Sequence, residues 1–139
     1  MSTVTIPSIR GGVVEKYLPG DRYTATVAAG QAATGARLVE GATGDRVCRT
    51  AQAGSLVVTG VALHDAAAGE KVTVATEGVW LLRASGAITA GGRVEAAANG
   101  EVRALQTVDA AGSKDPAACV GYALAGIANG ADGPVKLTL

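Results

Sequence analysis

The sequence predicts an all-β fold, a small β-barrel or β-sandwich with an internal repeat (about residues 30–78 and 86–139) and an extended N-terminal arm. Glycine occupies 20 of the 139 positions and punctuates the chain at short intervals, as it does in sandwiches and barrels. Between the glycines, apolar and polar residues alternate, for example over residues 71–76. No apolar stripe of helical period survives the glycines, so helix is not expected as a main element.

Two similar phrases carry the internal repeat. The residues Gly-Val-Ala-Leu at 60–63 return as Gly-Tyr-Ala-Leu at 121–124, and an alternating strand follows each phrase. Earlier in each unit, the turn glycines of the first unit recur in the second unit at one constant spacing. The same spacing aligns Leu38 with Val94. The spacing is larger at the two phrases, which predicts an insertion in the second unit. The polar run Asp109–Pro116 has the composition of a surface loop and is its expected site.

Residues 1–20 are predicted to form the extended arm, and residues 21–139 a single β domain built from two similar halves. Three glycines and two prolines interrupt the arm too often for a helix. A disordered tail followed by an edge strand is the alternative. The N-terminus lacks the basic and apolar regions of a signal peptide, and no apolar run reaches the length of a membrane span. We therefore expect a soluble protein made in a cytoplasm.

The strands are predicted from short runs rich in β-branched and aromatic residues, bounded by glycine or polar turns. In chain order these runs cover residues 22–28, 46–50, 56–63, 71–76, 79–84, 119–124 and 134–138.

Composition excludes several classes of function. The formal net charge is zero, with 12 basic and 12 acidic residues, which argues against binding to nucleic acid or to an acidic membrane. Phenylalanine is absent and aromatic residues make up 3%, so the core must consist of small aliphatic side chains. Such a core has little bulk, and we expect contacts with neighbouring subunits to add stability.

No group of residues predicts catalysis, a cofactor or a metal. His64 and Asp65 are adjacent, but neighbouring strand residues point to opposite faces, and a surface turn is the favoured interpretation. A single histidine and the absence of a CxxC pair leave no metal-ligand spacing. Cys48 and Cys119 lie in apolar runs without a basic neighbour, which favours buried free thiols over a disulfide or a nucleophile. The glycine-rich turns do not continue into a phosphate-binding motif.

Trp80 is the one tryptophan of the chain and lies in a run that is apolar on both faces. A strand of this kind is covered on both sides. Core packing is the favoured role of Trp80, and contact with a subunit or partner is the alternative.

The layout of arm, strand, turns at Ala32–Gly35 and Ile88–Gly91, and the two closing phrases resembles the small capsid cement, or head decoration, proteins of tailed bacteriophages. The resemblance covers most of the chain from about residue 10. It implies a β-barrel or sandwich that binds the exterior of the mature capsid, made in the host cytoplasm. It also implies that the major capsid protein is the partner and that the protein forms a homo-oligomer, with a trimer favoured.

The expected role is structural: the module bridges major capsid protein subunits and has no catalytic, cofactor or metal residues. Another virion module, such as a tail or fibre component, and a small ligand-binding or carbohydrate-binding β domain are the alternatives. The inserted loop at Asp109–Pro116 and the arm are expected to contact the capsid. The predicted contact residues are Ile6, Ile9, Val13, Val14, Tyr17 and Trp80.

Overall fold

The computed structural model describes residues 22–139, and this part of the chain is built almost entirely of β-strands. Two short 3₁₀ turns, Ala98–Gly100 and Pro116–Ala118, interrupt it. The all-β prediction is confirmed. The strands are β1 (Arg22–Val27), β2 (Ala32–Ala33), β3 (Leu38–Gly41), β4 (Val47–Thr50), β5 (Val58–Ala62), β6 (Ala66–Ala67), β7 (Lys71–Ala75), β8 (Val79–Arg83), β9 (Arg93–Ala96), β10 (Val102–Ala104), β11 (Gly121–Ala123) and β12 (Asp132–Leu137).

The first half of the described chain is a closed barrel with the strand order β1-β4-β3-β5-β7. Strand β1 closes it by pairing antiparallel with β7 and, through Val27 and Cys48, parallel with β4. Small aliphatic side chains such as Ala25, Val72 and Val74 fill the interior. Small residues suffice because the barrel has five strands and a narrow interior.

The second half repeats this order as a five-stranded sheet, β10-β9-β11-β12-β8. Here β8 takes the place of β1 and β12 the place of β7. A single parallel bridge, between Ala84 and Val102, links β8 to β10, at the position of the Val27–Cys48 pair in the barrel. The internal repeat is therefore present in the strand order. It also includes β1 and β8, which precede the glycines at residues 30 and 86.

Strand pairing corrects the residue alignment within the repeat. The constant glycine spacing aligned Leu38 with Val94. In the structure, Val39 lies opposite Gly60 and Val94 lies opposite Gly121, so Val39 is the true counterpart of Val94. The difference arises in the turn before β3: Ala36 donates its N–H to Ala62 O where Gly91 donates to Ala123 O, so Ala36 and not Gly35 is the counterpart of Gly91.

The two halves pack against each other where a few residues of the first half join the core of the second. Leu38 and Val61 of the first half are fully buried in the same cluster as the second-half core. Gly100 donates its N–H to Ala51 O at 3.0 Å, and a Cβ at Gly100 would lie 2.6 Å from Leu38 O. Arg37 Nη1 lies 3.3 Å from Glu101 Oε2 across the same junction. The two halves approach each other so closely here that position 100 has no room for a side chain.

The inserted residues lie where they were predicted. Val108 and Lys114 form an isolated antiparallel bridge, and Asp109 Oδ1 accepts the N–H groups of Ala111 and Ser113. The loop thus has internal structure of its own. The predicted arm, residues 1–20, lies outside the described residues.

Candidate interaction surface

His64 and Asp65 both bind the backbone. The Nδ1 atom of His64 lies 3.0 Å from Asp65 O, and its Nε2 atom accepts the N–H of Thr73 at 3.3 Å. The carboxylate of Asp65 accepts the N–H of Gly35 at 2.8 Å. Both side chains are therefore engaged in holding two turns, and neither is directed at a nucleophile.

The repeat explains why His64 has no counterpart in the second half. Leu124 donates its N–H to Pro134 O at the place where Leu63 donates to Thr73 O. Pro134, the counterpart of Thr73, has no N–H to satisfy. Alanine therefore suffices at position 125, the counterpart of His64.

Both cysteines are free thiols, as the sequence favoured. Cys48 is buried in the barrel, and burial raises the pKa of its thiol, which makes it a poor nucleophile. Cys119 is half-buried, and its Sγ atom lies 3.4 Å from Gly121 O.

Two buried glutamates, Glu40 and Glu95, occupy equivalent positions in the two halves. Glu95 is 0% exposed; its Oε1 accepts the N–H groups of Gln106 and Thr107, and its Oε2 accepts from Arg103 Nε at 2.8 Å. Burial raises the pKa of Glu95, but hydrogen bonds from the Thr107 and Gln106 N–H groups and from the Arg103 and Thr107 side chains outweigh it. The pKa is thus lowered, and the carboxylate fastens the start of the inserted loop to the sheet.

Glu40 repeats this arrangement in the barrel. It is 3% exposed, and its carboxylate accepts from Arg49 Nε at 2.8 Å and from the Gln52 N–H at 2.9 Å. Here too burial raises the pKa of the carboxyl group. Hydrogen bonds from Gln52, Ser55 and Arg49 lower the pKa by more than burial raises it, so the pKa lies below its ordinary value. Two charged pairs at equivalent sites, Glu40–Arg49 and Glu95–Arg103, thus each hold a strand pair and the segment that follows it.

Within residues 22–139, no three side chains of the types that bind metals come together. The same residues contain no helix of the length and apolar character that crossing a bilayer requires.

An exposed apolar patch lies on the outer side of the second sheet. Strand β8 alternates: Trp80 and Leu82 point inward, whereas Val79 and Leu81 are 50% and 66% exposed. Leu81 lies opposite Pro134 on β12. On the other side of Pro134, Leu124 follows directly after β11, donates its N–H to Pro134 O and is 49% exposed. We call the surface formed by Val79, Leu81, Leu124 and Pro134 the β8 face.

Charged residues surround the β8 face. Arg83 and Asp132, an opposed pair on β8 and β12, approach to 3.3 Å at one end. At the other end Val79 lies opposite Lys136, which in turn lies opposite Tyr122. The Arg93 guanidinium lies 5.3 Å from the ring centroid of Tyr122. Among the described residues no carboxylate lies within ion-pair distance of Arg93 or Lys136, so this rim carries excess positive charge.

Trp80 lies at the base of this region. It is half-buried, packs against the second-half core and donates its indole N–H to Glu77 O at 2.8 Å. Its counterpart in the barrel is Tyr23, which packs against the first core in the same way. Direct contact of Trp80 with a partner stays a prediction, and so do the contacts predicted for Ile6, Ile9, Val13, Val14 and Tyr17, which lie outside the described residues.

The family model for phage cement proteins matches residues 17–139. This chain belongs to the phage cement protein family. The cement protein is thus a structural protein of the phage virion. A search of curated proteins finds no match. Among solved structures, the chain is similar to the N base of the head fibre gp8.5 of bacteriophage phi29, with 19% sequence identity and a TM-score of 0.63. The similarity covers 84% of this chain and 92% of that chain, and it shows a shared fold.

The β8 face of the cement protein was not predicted from the sequence. The run at residues 79–84 was identified as apolar on both faces, but the predicted contact residue was Trp80, which points inward. The signal that was present is the contrast with β1, where the outward residues Arg22 and Thr24 are polar. The strand register is needed to recognise that β1 and β8 are counterparts, because equivalent residues of the two halves are not separated by one constant spacing along the chain.

Proposed function

We propose that this cement protein binds the outer surface of the mature capsid and stabilises it by bridging major capsid protein subunits. The match to the phage cement family over residues 17–139 carries this proposal. The fold is compatible with it, since the barrel and the second sheet are packed together through shared buried residues. The described surface offers an exposed apolar face, which supports a structural role.

Stabilisation follows from linkage. A protein that binds only one state of an assembly stabilises that state, and the effect grows with free ligand concentration relative to Kd. Capsid expansion opens seams between capsomers, and a module that bridges a seam buries surface only in the expanded shell. Weak contacts repeated around a symmetric shell act together through effective concentration.

The decisive experiment is co-sedimentation of the purified protein with undecorated mature capsids, quantified as copies per shell. We expect saturation at a copy number compatible with the symmetry of the shell, together with a higher disruption temperature. A trimer predicts three copies per bridged junction. Absence of binding would contradict the proposal, and label on the tail alone in electron micrographs would favour a tail or fibre component.

The N-terminal segment is proposed to add capsid contacts through Ile6, Ile9, Val13, Val14 and Tyr17. Deleting residues 1–12 is expected to weaken capsid binding and leave the unfolding temperature of the β-structure unchanged, because the described elements begin at Arg22. Unaltered binding by the truncated chain would exclude these first residues as contacts.

A further inference from the structure

We propose that the β8 face is the docking surface for the major capsid protein, and that it receives an apolar surface flanked by carboxylates. This inference rests on the proposed function and assigns its contact to a specific side of the molecule. Four observations support it: a comparison between the two halves, the exposure of the face, its size and its charge.

The repeat provides an internal comparison. Leu81 lies opposite Pro134 on β12, and its counterpart Thr24 lies opposite Thr73 on β7. Likewise, Val79 on β8 occupies the position that Arg22 has on β1. The same strands with the same pairing thus carry polar outward residues in the first half and apolar ones in the second. Because the equivalent pairing forms with Thr24 in the first half, this strand pairing does not itself require an apolar residue at position 81.

In the first half, the outward residues of β3 and β5 are covered by the second half. Leu38 and Val61 are fully buried at the junction with the second half. Their counterparts by register are Arg93 and Tyr122, which lie beside the β8 face and remain partly exposed. The repeat thus covers the β3–β5 part of the first half within the chain and leaves the corresponding β9–β11 part of the second half available to a different molecule.

The size of the face argues against a second copy as its occupant. Stable pairs of proteins bury roughly 800 Å² on each partner. Four apolar side chains form a patch on the order of a few hundred Å², which is the scale of functional patches on monomers. Such a contact is weak when formed once and effective when it is formed many times on one shell.

Charge indicates the chemistry of the partner. Arg93 and Lys136 lack carboxylate partners among the described residues, and Lys114 lines an open cavity of about 380 Å³ together with Arg93. Two copies meeting through this face would bring these cations together, which is unfavourable. A capsid surface with carboxylates around an apolar centre complements both features.

Two matched pairs of variants test the proposal by capsid co-sedimentation. Leu81→Asp is expected to lower capsid affinity by about tenfold or more, because it places a charge in the centre of the contact. Thr24→Asp, at the equivalent site of the barrel, is expected to bind like the parent protein. Lys136→Glu is expected to lower affinity and to weaken its dependence on salt, whereas Lys71→Glu on the equivalent strand β7 changes neither.

Because Leu81 is exposed, these variants should keep the parent unfolding temperature. Leu81→Thr, which copies the residue of the first half, tests the apolar contact with no added charge and is expected to weaken binding as well. If the parent protein fails to bind capsids, the proposed function itself is overturned. If the parent binds and the Leu81 variants bind equally well, only the β8 face is excluded.

Other occupants give different results, each of which would overturn the proposal. A fall in molar mass by light scattering on Leu81→Asp, with capsid affinity unchanged, would identify a second copy. Faster tryptic cleavage after Arg10 and Lys16, again with unchanged affinity, would identify the N-terminal segment of the chain itself. Equal loss of binding in Thr24→Asp and Leu81→Asp would show that the effect is not specific to this face.

Discussion

At the scale of single residues, Glu95 is a buried carboxylate that accepts four hydrogen bonds. It is fully buried, and both of its carboxylate oxygens accept hydrogen bonds. Because these bonds lower its pKa below the ordinary value of 4.5, Glu95 is charged in the folded protein at neutral pH. The stabilisation is present above about pH 4.5, the ordinary value, and is lost as the pH falls through the lower pKa of the folded state.

We therefore expect Glu95→Gln to lower the free energy of unfolding by about 2–4 kcal/mol at pH 7, because it leaves Arg103 without its charged partner. The variant should also lose less stability than the parent between pH 5 and pH 3. Urea unfolding at several pH values measures both effects. Glu77→Gln, at an exposed turn, is the control. An unchanged pH dependence in Glu95→Gln would show that other groups control acid unfolding.

The pairing of His64 with the Thr73 N–H gives a second prediction at this scale. His64→Ala removes the acceptor of that N–H and should cost about 1 kcal/mol of stability. Thr73→Pro removes the donor, as proline does at position 134 of the second half. The double variant His64→Ala/Thr73→Pro should therefore be more stable than the sum of the single changes predicts. Strict additivity in a thermal-unfolding cycle would contradict this account.

At the scale of elements, the repeated glycines mark where two strands approach closely. A Cβ at Gly121 would overlap Lys136 O on β12, and a Cβ at Gly60 would overlap Ala75 O on β7. The glycine is thus required by packing at the same point of both halves. In contrast, a Cβ at Gly126 would have its nearest neighbour, Ile88 O, at 3.8 Å.

Gly121→Ala is expected to destabilise the protein by about 1–3 kcal/mol, the usual cost of overpacking. Gly126→Ala, with room for a methyl group, should change stability by less than about 0.5 kcal/mol. Thermal unfolding of both variants beside the parent measures the difference. Equal unfolding temperatures for the two variants would mean that β11 and β12 can separate without cost.

The elements also show what sequence can and cannot predict. Alternation and turn glycines predicted the repeat and seven of the strands, since both reflect local backbone requirements, whereas the short strands β2, β3, β6, β9 and β10 lay outside the predicted runs. The alignment of Leu38 with Val94 was wrong by one residue because Ala36, with a positive φ of 60°, takes the turn position of Gly91, whereas glycine spacing pairs Gly91 with Gly35. The β8 face was missed for a related reason: the side of the sheet on which Leu81 lies depends on pairing, and alternation alone does not tell inside from outside.

At the scale of the whole molecule, the two halves are expected to unfold together as one domain. Their junction contains shared buried side chains and the Arg37–Glu101 contact at 3.3 Å. Trp80, in the second half, reports that half by fluorescence, whereas circular dichroism reports the strands of both. We expect coincident transitions in urea for these two signals. Separate transitions would show that the halves are independent domains.

The polar outward residues of β1 and the apolar outward residues of β8 give the cement protein a direction. Two similar halves side by side could in principle attach to a surface in either of two orientations related by a half-turn. Only one half presents Leu81, and the other presents Thr24. Every bound copy would then sit the same way round, so that a shell covered with this protein displays a single uniform outer surface to its surroundings.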